Sequence, residues 1–161
     1  MCMEQTPWER LTAFHDAVTP ELALGYRAVM IGMREIGFKP RPDCALIVRA
    51  GVTSAAIDAF QLLCKTTWGN GRLLRQDAGQ HVYDFHYTGT ADILRLSIQP
   101  EILAHLTGAT ANDSARLRQQ KHMQAIEALL SAAESAFCTI SHLSGKLQPR
   151  DFTVQHTRCA V

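Results

Sequence analysis

A chain of 161 residues with 47% hydrophobic content can bury one core and is too short for two ordinary domains. Charged residues make up 19% and the formal net charge is +1, which leaves no electrostatic footprint for nucleic acid or an anionic membrane. The longest apolar runs, such as Cys44 to Val48, are far too short to span a bilayer, and the first residues lack a basic-then-apolar signal pattern, so a cytoplasmic protein is expected.

Residues 5–16 read as a short amphipathic helix with Trp8, Leu11, Ala13 and Phe14 on its apolar side. Thr19 is then an N-cap, with Pro20 at the first helical position and Glu21 behind it. The helix from Pro20 to about Ile36 carries Leu22, Tyr26, Val29, Met33 and Ile36 along one face, and Ala23, Leu24, Ala28, Met30 and Ile31 over much of the rest. Gly25 and Gly32 share a face on which another backbone or helix can approach closely. Gly37 serves as a C-cap, and Pro40 and Pro42 enforce a break.

Cys44 to Val48 has the length and apolar continuity of a central strand. Residues 53–66 form a helix capped by Thr53 or Ser54, Gly69 and Gly71 make a turn, and Arg72 to Gln76 is a strand. From His81 to Tyr87 the chain alternates: His81, Tyr83, Phe85 and Tyr87 on one face, Val82, Asp84 and His86 on the other. A turn through Thr88, Gly89 and Thr90 leads to a return strand, Ala91 to Ile98, with Leu94, Leu96 and Ile98 inward. Pro100 opens a short helix to about His105, Gly108 to Asp113 is a loop, and residues 114–136 form a long helix with Ile126, Leu129, Leu130, Ala133 and Phe137 along its core side. Phe137 to His142 and Phe152 to His156 have the character of short strands. The pattern is a single layered α+β domain over 1–161, a mostly antiparallel sheet packed against helices, with a helical C-terminal extension from about residue 100.

Cys2, Cys44, Cys64, Cys138 and Cys159 are an odd, scattered set with no Cys-x-x-Cys, so neither a disulfide framework nor a zinc finger is encoded. Cys64 and Cys44 read as core residues. A C-terminal cluster of Cys138, His142, His156 and Cys159 fits no metal spacing.

Two stretches carry more. The first is Phe14-His15-Asp16-Ala17-Val18-Thr19-Pro20-Glu21-Leu22-Ala23-Leu24-Gly25-Tyr26-Arg27. The second is Ala55-Ala56-Ile57-Asp58-Ala59-Phe60-Gln61, followed by Thr66-Thr67-Trp68-Gly69-Asn70-Gly71. Together they resemble the core domain of the formylmethanofuran dehydrogenase E-subunit family, which writes the first as Phe-His-Gly-His-x-Cys-Pro-Gly-Leu-Ala-x-Gly-Tyr-Arg. It writes the second as Cys-Ala-Val-Asp-Ala-x-Gln, then x-Gly-Cys-Thr-x-Gly-Lys-Gly-Asn. Asp77-Ala78-Gly79-Gln80-His81 is similar to its Asp-Tyr-Gly-Lys-His, and Arg95 falls in the matching return strand. The likeness covers about residues 12–99.

The resemblance implies a dimeric α+β core with a metal site, in a context of one-carbon metabolism whose dehydrogenase chemistry belongs to other subunits. It implies His and Cys ligands at positions 15, 17, 19, 55 and 66. Here these are His15, Ala17, Thr19, Ala55 and Thr66, so the thiolates are missing and only the histidine can ligate well. Many relatives add a zinc module after the core; no Cys-x-x-Cys pair follows here. No molybdopterin or iron–sulfur site is encoded.

His15 and His81 are residual metal ligands, for zinc or nickel, set against the plainer roles of a capping and a core histidine. Ser54, Asp58, Gln61 and Lys65 form a polar stripe on one helix, either a solvated face or the wall of a ligand pocket in which Asp58 orients a histidine. Thr19, Thr66 and Asn70 border the same cleft, while the loop around Gly69 and Gly71 lacks the lysine and the strand–loop–helix order of a phosphate-binding loop. Three functions compete: a ligand- or metal-binding accessory protein that is not the dehydrogenase, a metal-independent enzyme using a His/Asp pair, and a non-catalytic dimerisation module built on the helix 20–36. The first is expected, with a homodimer and a small-molecule ligand as partners.

Overall fold

The structure, a computed structural model, describes residues 4–37, 44–76 and 78–150. Asp77, the Pro40–Pro42 break, the strand expected at 152–156, and Cys2, His156 and Cys159 lie outside the described residues. Helix α1 spans Pro7–His15 and opens on a capping box: Thr6 Oγ1 accepts from Glu9 N at 3.2 Å, and a Glu9 side-chain oxygen accepts from Thr6 N at 2.8 Å. Asp16, left-handed at φ 58°, ends it. Helix α2, Pro20–Glu35, starts as the sequence indicates, with Thr19 Oγ1 accepting from Leu22 N at 3.2 Å.

Both glycines of α2 face the interior of this chain. A Cβ on Gly25 would strike the backbone of Ala56, and one on Gly32 would strike the Phe85 ring. The close approach foreseen on that face therefore takes place within one chain.

Strand β1, Leu46–Ala50, runs two residues further than the apolar stretch suggests. The extension contains Arg49, whose charge is neutralised by Asp84 across the ladder, so a cation sits in a central strand. Cys44 lies before the strand and is half-buried, not a core residue as read from the sequence. Helix α3, Ala56–Leu63, is shorter than 53–66: Ser54 Oγ accepts from Ala56 N at 3.3 Å at one end, and left-handed Lys65 (φ 55°) turns the chain away at the other. Strand β2 is Leu73–Arg75, β3 is Val82–Tyr87 and β4 is Asp92–Ile98.

After β4 come α4 (Pro100–Leu103), a 3₁₀ turn (Ala104–Thr107) and α5 (Ala115–Ser131). The expected 114–136 helix breaks at Ala132, where ψ is 139°. Arg27 on α2 explains the break: its two terminal nitrogens donate to Leu130 O at 2.8 Å and Ala132 O at 2.7 Å, taking carbonyls that end a helix without partners. A one-turn helix α6, Glu134–Phe137, then delivers fully buried Phe137 and leads into β5, Cys138–Ser144.

Among the described residues five strands form one sheet in the order β2-β1-β3-β4-β5, with only the β1–β2 pair parallel. Helices cover one face. There the core joins Leu22, Val29, Phe60, Tyr83, Phe85, Leu96, Leu129 and Phe137, with Phe60 stacked on Tyr83 at 4.6 Å between centroids. Among the described residues the other face has only a small apolar cluster of Ile47, Ile93 and Leu147, flanked by Leu74 and Leu143. Asp84 and His86, placed on that face by the alternation of β3, are nonetheless buried, at 2% and 1% exposure. No described helix is long and apolar enough to cross a membrane.

Candidate functional site

The capping box and the Asp16 turn fix where α1 ends, and that puts His15 on its last position, against the first turns of α3. His15 Nδ1 lies 2.6 Å from Asp58 Oδ2, and Gln61 Nε2 donates to the other oxygen, Oδ1, at 3.1 Å. Asp58 and Gln61 meet because residues three apart share a helical face. A carboxylate can only accept, so Nδ1 carries the hydrogen and the neutral ring presents an unprotonated Nε2. The His15 and Asp58 side chains are 23% and 28% exposed, so the pair borders solvent. A histidine held this way can accept a proton or bind a metal ion, the carboxylate fixing both ring orientation and tautomer.

His81 precedes β3 and is half-buried, its Nδ1 2.8 Å from the Tyr83 hydroxyl. Burial pulls its pKa below the ordinary histidine value, while the negative charge of Glu21 in the first turn of α2 pulls the other way. Burial raises the Tyr83 hydroxyl pKa, so the phenol stays protonated. No hydrogen bond joins His81 to His15 or Asp58 among the described residues.

The other sequence candidates are engaged in shaping the backbone. Thr19 Oγ1 caps α2, and Thr66 Oγ1, fully buried, donates to Phe60 O at 3.2 Å. Asn70 holds its turn together: Oδ1 accepts from Thr67 N and Arg72 N, both at 3.0 Å, and Nδ2 donates to Lys65 O at 2.9 Å. Lys65 is exposed at the end of α3. Cys64, on the opposite side of α3 from the polar stripe, is buried, which pushes its thiol up to about 12.

Among the described residues no group of three or more His, Cys, Asp or Glu side chains is placed to hold a metal ion. The ligand set implied by the resemblance does not fit: Ala17 and Ala55 offer no donor atom, and the hydroxyls of Thr19 and Thr66 are committed to backbone partners. Two features escape a reading of the sequence. Glu21 signals only the first turn of a helix, yet its charge acts on His81. Arg49, Asp84 and Arg95 form a charge row on the sheet; its signal is the outward position of Asp84 between two strands each carrying an arginine.

Similarity to known proteins decides the family. The family model described as FmdE, molybdenum formylmethanofuran dehydrogenase operon, matches residues 14–139. The chain belongs to the FmdE family. A solved structure, that of a tungsten formylmethanofuran dehydrogenase FmdE-like protein from Syntrophus aciditrophicus, superposes with a TM-score of 0.60 at 20% identity. The match covers 86% of this chain and 70% of that one, and at this identity the likeness is one of fold. No curated protein matches. The FmdE-family match begins at Phe14 and spans α2, α3 and the first four strands, so it contains His15, Asp58, Gln61 and His81.

Proposed function

We propose that this FmdE-family chain is an accessory protein of a formylmethanofuran dehydrogenase system, not itself the dehydrogenase, and that it binds a small polar ligand at His15, Asp58 and Gln61. The observation that carries this reading is the 2.6 Å contact between His15 Nδ1 and Asp58, backed by Gln61. An isolated polar stripe would be a solvated helix face. A stripe that reaches across to the end of another helix and fixes one histidine tautomer is an arrangement for presenting Nε2. Ligand groups suited to it are acidic O–H or N–H donors, with the Gln61 amide as a second hydrogen-bonding group.

A second reading has its own support. His15 and His81 each have Nδ1 engaged, by Asp58 and by Tyr83 respectively, which is how ligating histidines are commonly oriented. Zinc or nickel held by those two imidazoles and completed by water or by the ligand would be a weaker site than the four-ligand kind. The shortage of protein donors among the described residues ranks this reading second.

The chain is further expected to act as a homodimer. Because Gly25 and Gly32 pack inside the chain, its contact would use other surfaces. Sedimentation at micromolar concentration checks this, and a clean monomer rules it out.

Native mass spectrometry and elemental analysis of purified protein test the site. The expected result is a bound small molecule, or near-stoichiometric zinc or nickel, in the parent protein and its loss in His15→Ala. A metal held by both histidines is also lost in His81→Ala. A parent protein without metal that also gives no thermal shift with any divalent ion removes the metal reading, and one that carries no small molecule argues against the ligand reading.

A further inference from the structure

The outer face of the sheet carries a charge arrangement that the His15–Asp58 pair does not use. Arg49, Asp84 and Arg95 lie side by side on β1, β3 and β4, in one cross-strand row. The Asp84 carboxylate, 2% exposed, accepts four hydrogen bonds: from Arg49 Nε and Nη2 at 3.0 and 2.5 Å, and from Arg95 Nε and Nη2 at 2.7 and 2.9 Å. One carboxylate cannot neutralise two guanidinium groups, so the row keeps one positive charge. Each arginine still has Nη1 uncommitted among the described residues, and the two side chains remain 29% and 34% exposed.

That spare charge faces a polar cavity of about 250 Å³, bordered by Arg49, Asp84, Arg95, Gln76, Gln80 and Ser97. Asp84, spent on the two arginines, is the only carboxylate lining it among the described residues. The cavity wall is built by a tight loop. The Gly51 carbonyl accepts from Ala78 N and Gln80 N at 3.1 and 3.3 Å, and a Cβ on Gly51 would come within 2.6 Å of the Gln80 carbonyl. A glycine is therefore needed there for Gln80 to reach the rim over the strand end, while Gln76 is held at the rim by its N–H donating to Ala50 O at 2.9 Å. A single arginine would neutralise Asp84; the second completes its hydrogen bonds and leaves a positive charge that the sheet does not use.

We propose that this pocket binds a small oxyanion, the carboxylate or phosphate group of a small molecule. Arg49 and Arg95 supply the charge and Nη1 donors, while Gln76, Gln80 and Ser97 supply neutral hydrogen bonds. The cavity accommodates such a group with a short carbon chain attached. It lies on the sheet face opposite the helices, so it is separate from the His15 site.

Calorimetric titration with inorganic phosphate and with succinate, at ionic strength held constant with sodium chloride, tests the proposal. The expected result is saturable one-to-one binding of at least one probe; phosphate points to a phosphoryl ligand and succinate to a carboxylate. Ser97→Asp puts a negative charge in the pocket without replacing any residue of the ion row and weakens binding at least about tenfold. Gln80→Glu, at an exposed position on the rim, does the same should Ser97→Asp fail to fold. His15→Ala binds as the parent does. The proposal is overturned if neither probe saturates below about 10 mM, or if the folded pocket variants bind as tightly as the parent.

Discussion

Asp84→Asn probes the ion row through its effect on stability. The parent carboxylate is almost wholly buried and is held by four hydrogen bonds from two arginines. Asparagine keeps the shape, yet it removes the charge and exchanges one acceptor oxygen for an NH₂ group that cannot accept. Breaking a buried ion pair by removing one partner costs about 3–5 kcal/mol, because the other charge is left uncompensated. Both arginines are about one-third exposed and can turn partly to water, which places the expected loss near the lower end, about 3 kcal/mol. For a chain of this size that is a fall in Tm of about 6–12 °C. Urea unfolding at pH 7, followed by circular dichroism, measures it directly. The companion variant replaces the whole row, Arg49→Met with Asp84→Leu and Arg95→Met, and is expected to be near neutral in stability, since apolar residues of similar volume often substitute for a buried ion group without loss. It also abolishes oxyanion binding with the fold intact. A loss below about 1 kcal/mol in Asp84→Asn would show the row to be no better than a surface pair.

Four further outcomes follow from named contacts. Burial raises the Asp84 pKa, but the hydrogen bonds and charges of Arg95 and Arg49 outweigh it and hold the carboxyl below its ordinary range. Its stabilisation is thus complete above about pH 4 and lost as pH falls through the lowered folded value, a slope in acid titration that Asp84→Asn lacks. His81 works in another window: its folded pKa is depressed, so the unfolded chain binds more protons, and stability rises with pH up to about 6.5; His81→Gln flattens that rise in urea melts taken between pH 5 and 7. Thr6→Ala removes the capping box of α1 and costs about 1 kcal/mol by thermal or urea melt. With iodoacetamide on native protein, peptide mapping finds Cys44 alkylated well before Cys64, whose burial raises its thiol pKa to about 12.

The elements whose signals are local are legible in the sequence. Thr19-Pro20 announces the start of α2 and does cap it, and the alternation through Tyr83 and Phe85 correctly gives the inward face of β3. The capping box Thr6-x-x-Glu9 is a signal of the same local kind. What the sequence obscures depends on partners far along the chain. Arg49 ends an apolar run by composition but continues a strand because Asp84, 35 residues on, neutralises it. The periodicity after Ser114 reads as one helix to residue 136, but Arg27, more than 100 residues earlier, takes the carbonyls of Leu130 and Ala132 and ends it. At the candidate site, a helical stripe and a family likeness suggest that Asp58 orients a histidine. That the histidine at its 2.6 Å contact is His15 follows from where Asp16 stops α1. Glu21 near His81 has no sequence signal, since the two are joined only by the packing of α2 against the sheet.

The claim that Asp58 holds His15 so as to present Nε2 is tested most directly by ring-nitrogen NMR of His15 at a pH where the imidazole is neutral, compared between the parent and Asp58→Asn. The expected result is a single tautomer in the parent, hydrogen on Nδ1 and a lone pair on Nε2, that gives way to a mixture in the variant. A parent spectrum already showing mixed tautomers, or one unchanged by Asp58→Asn, would contradict it.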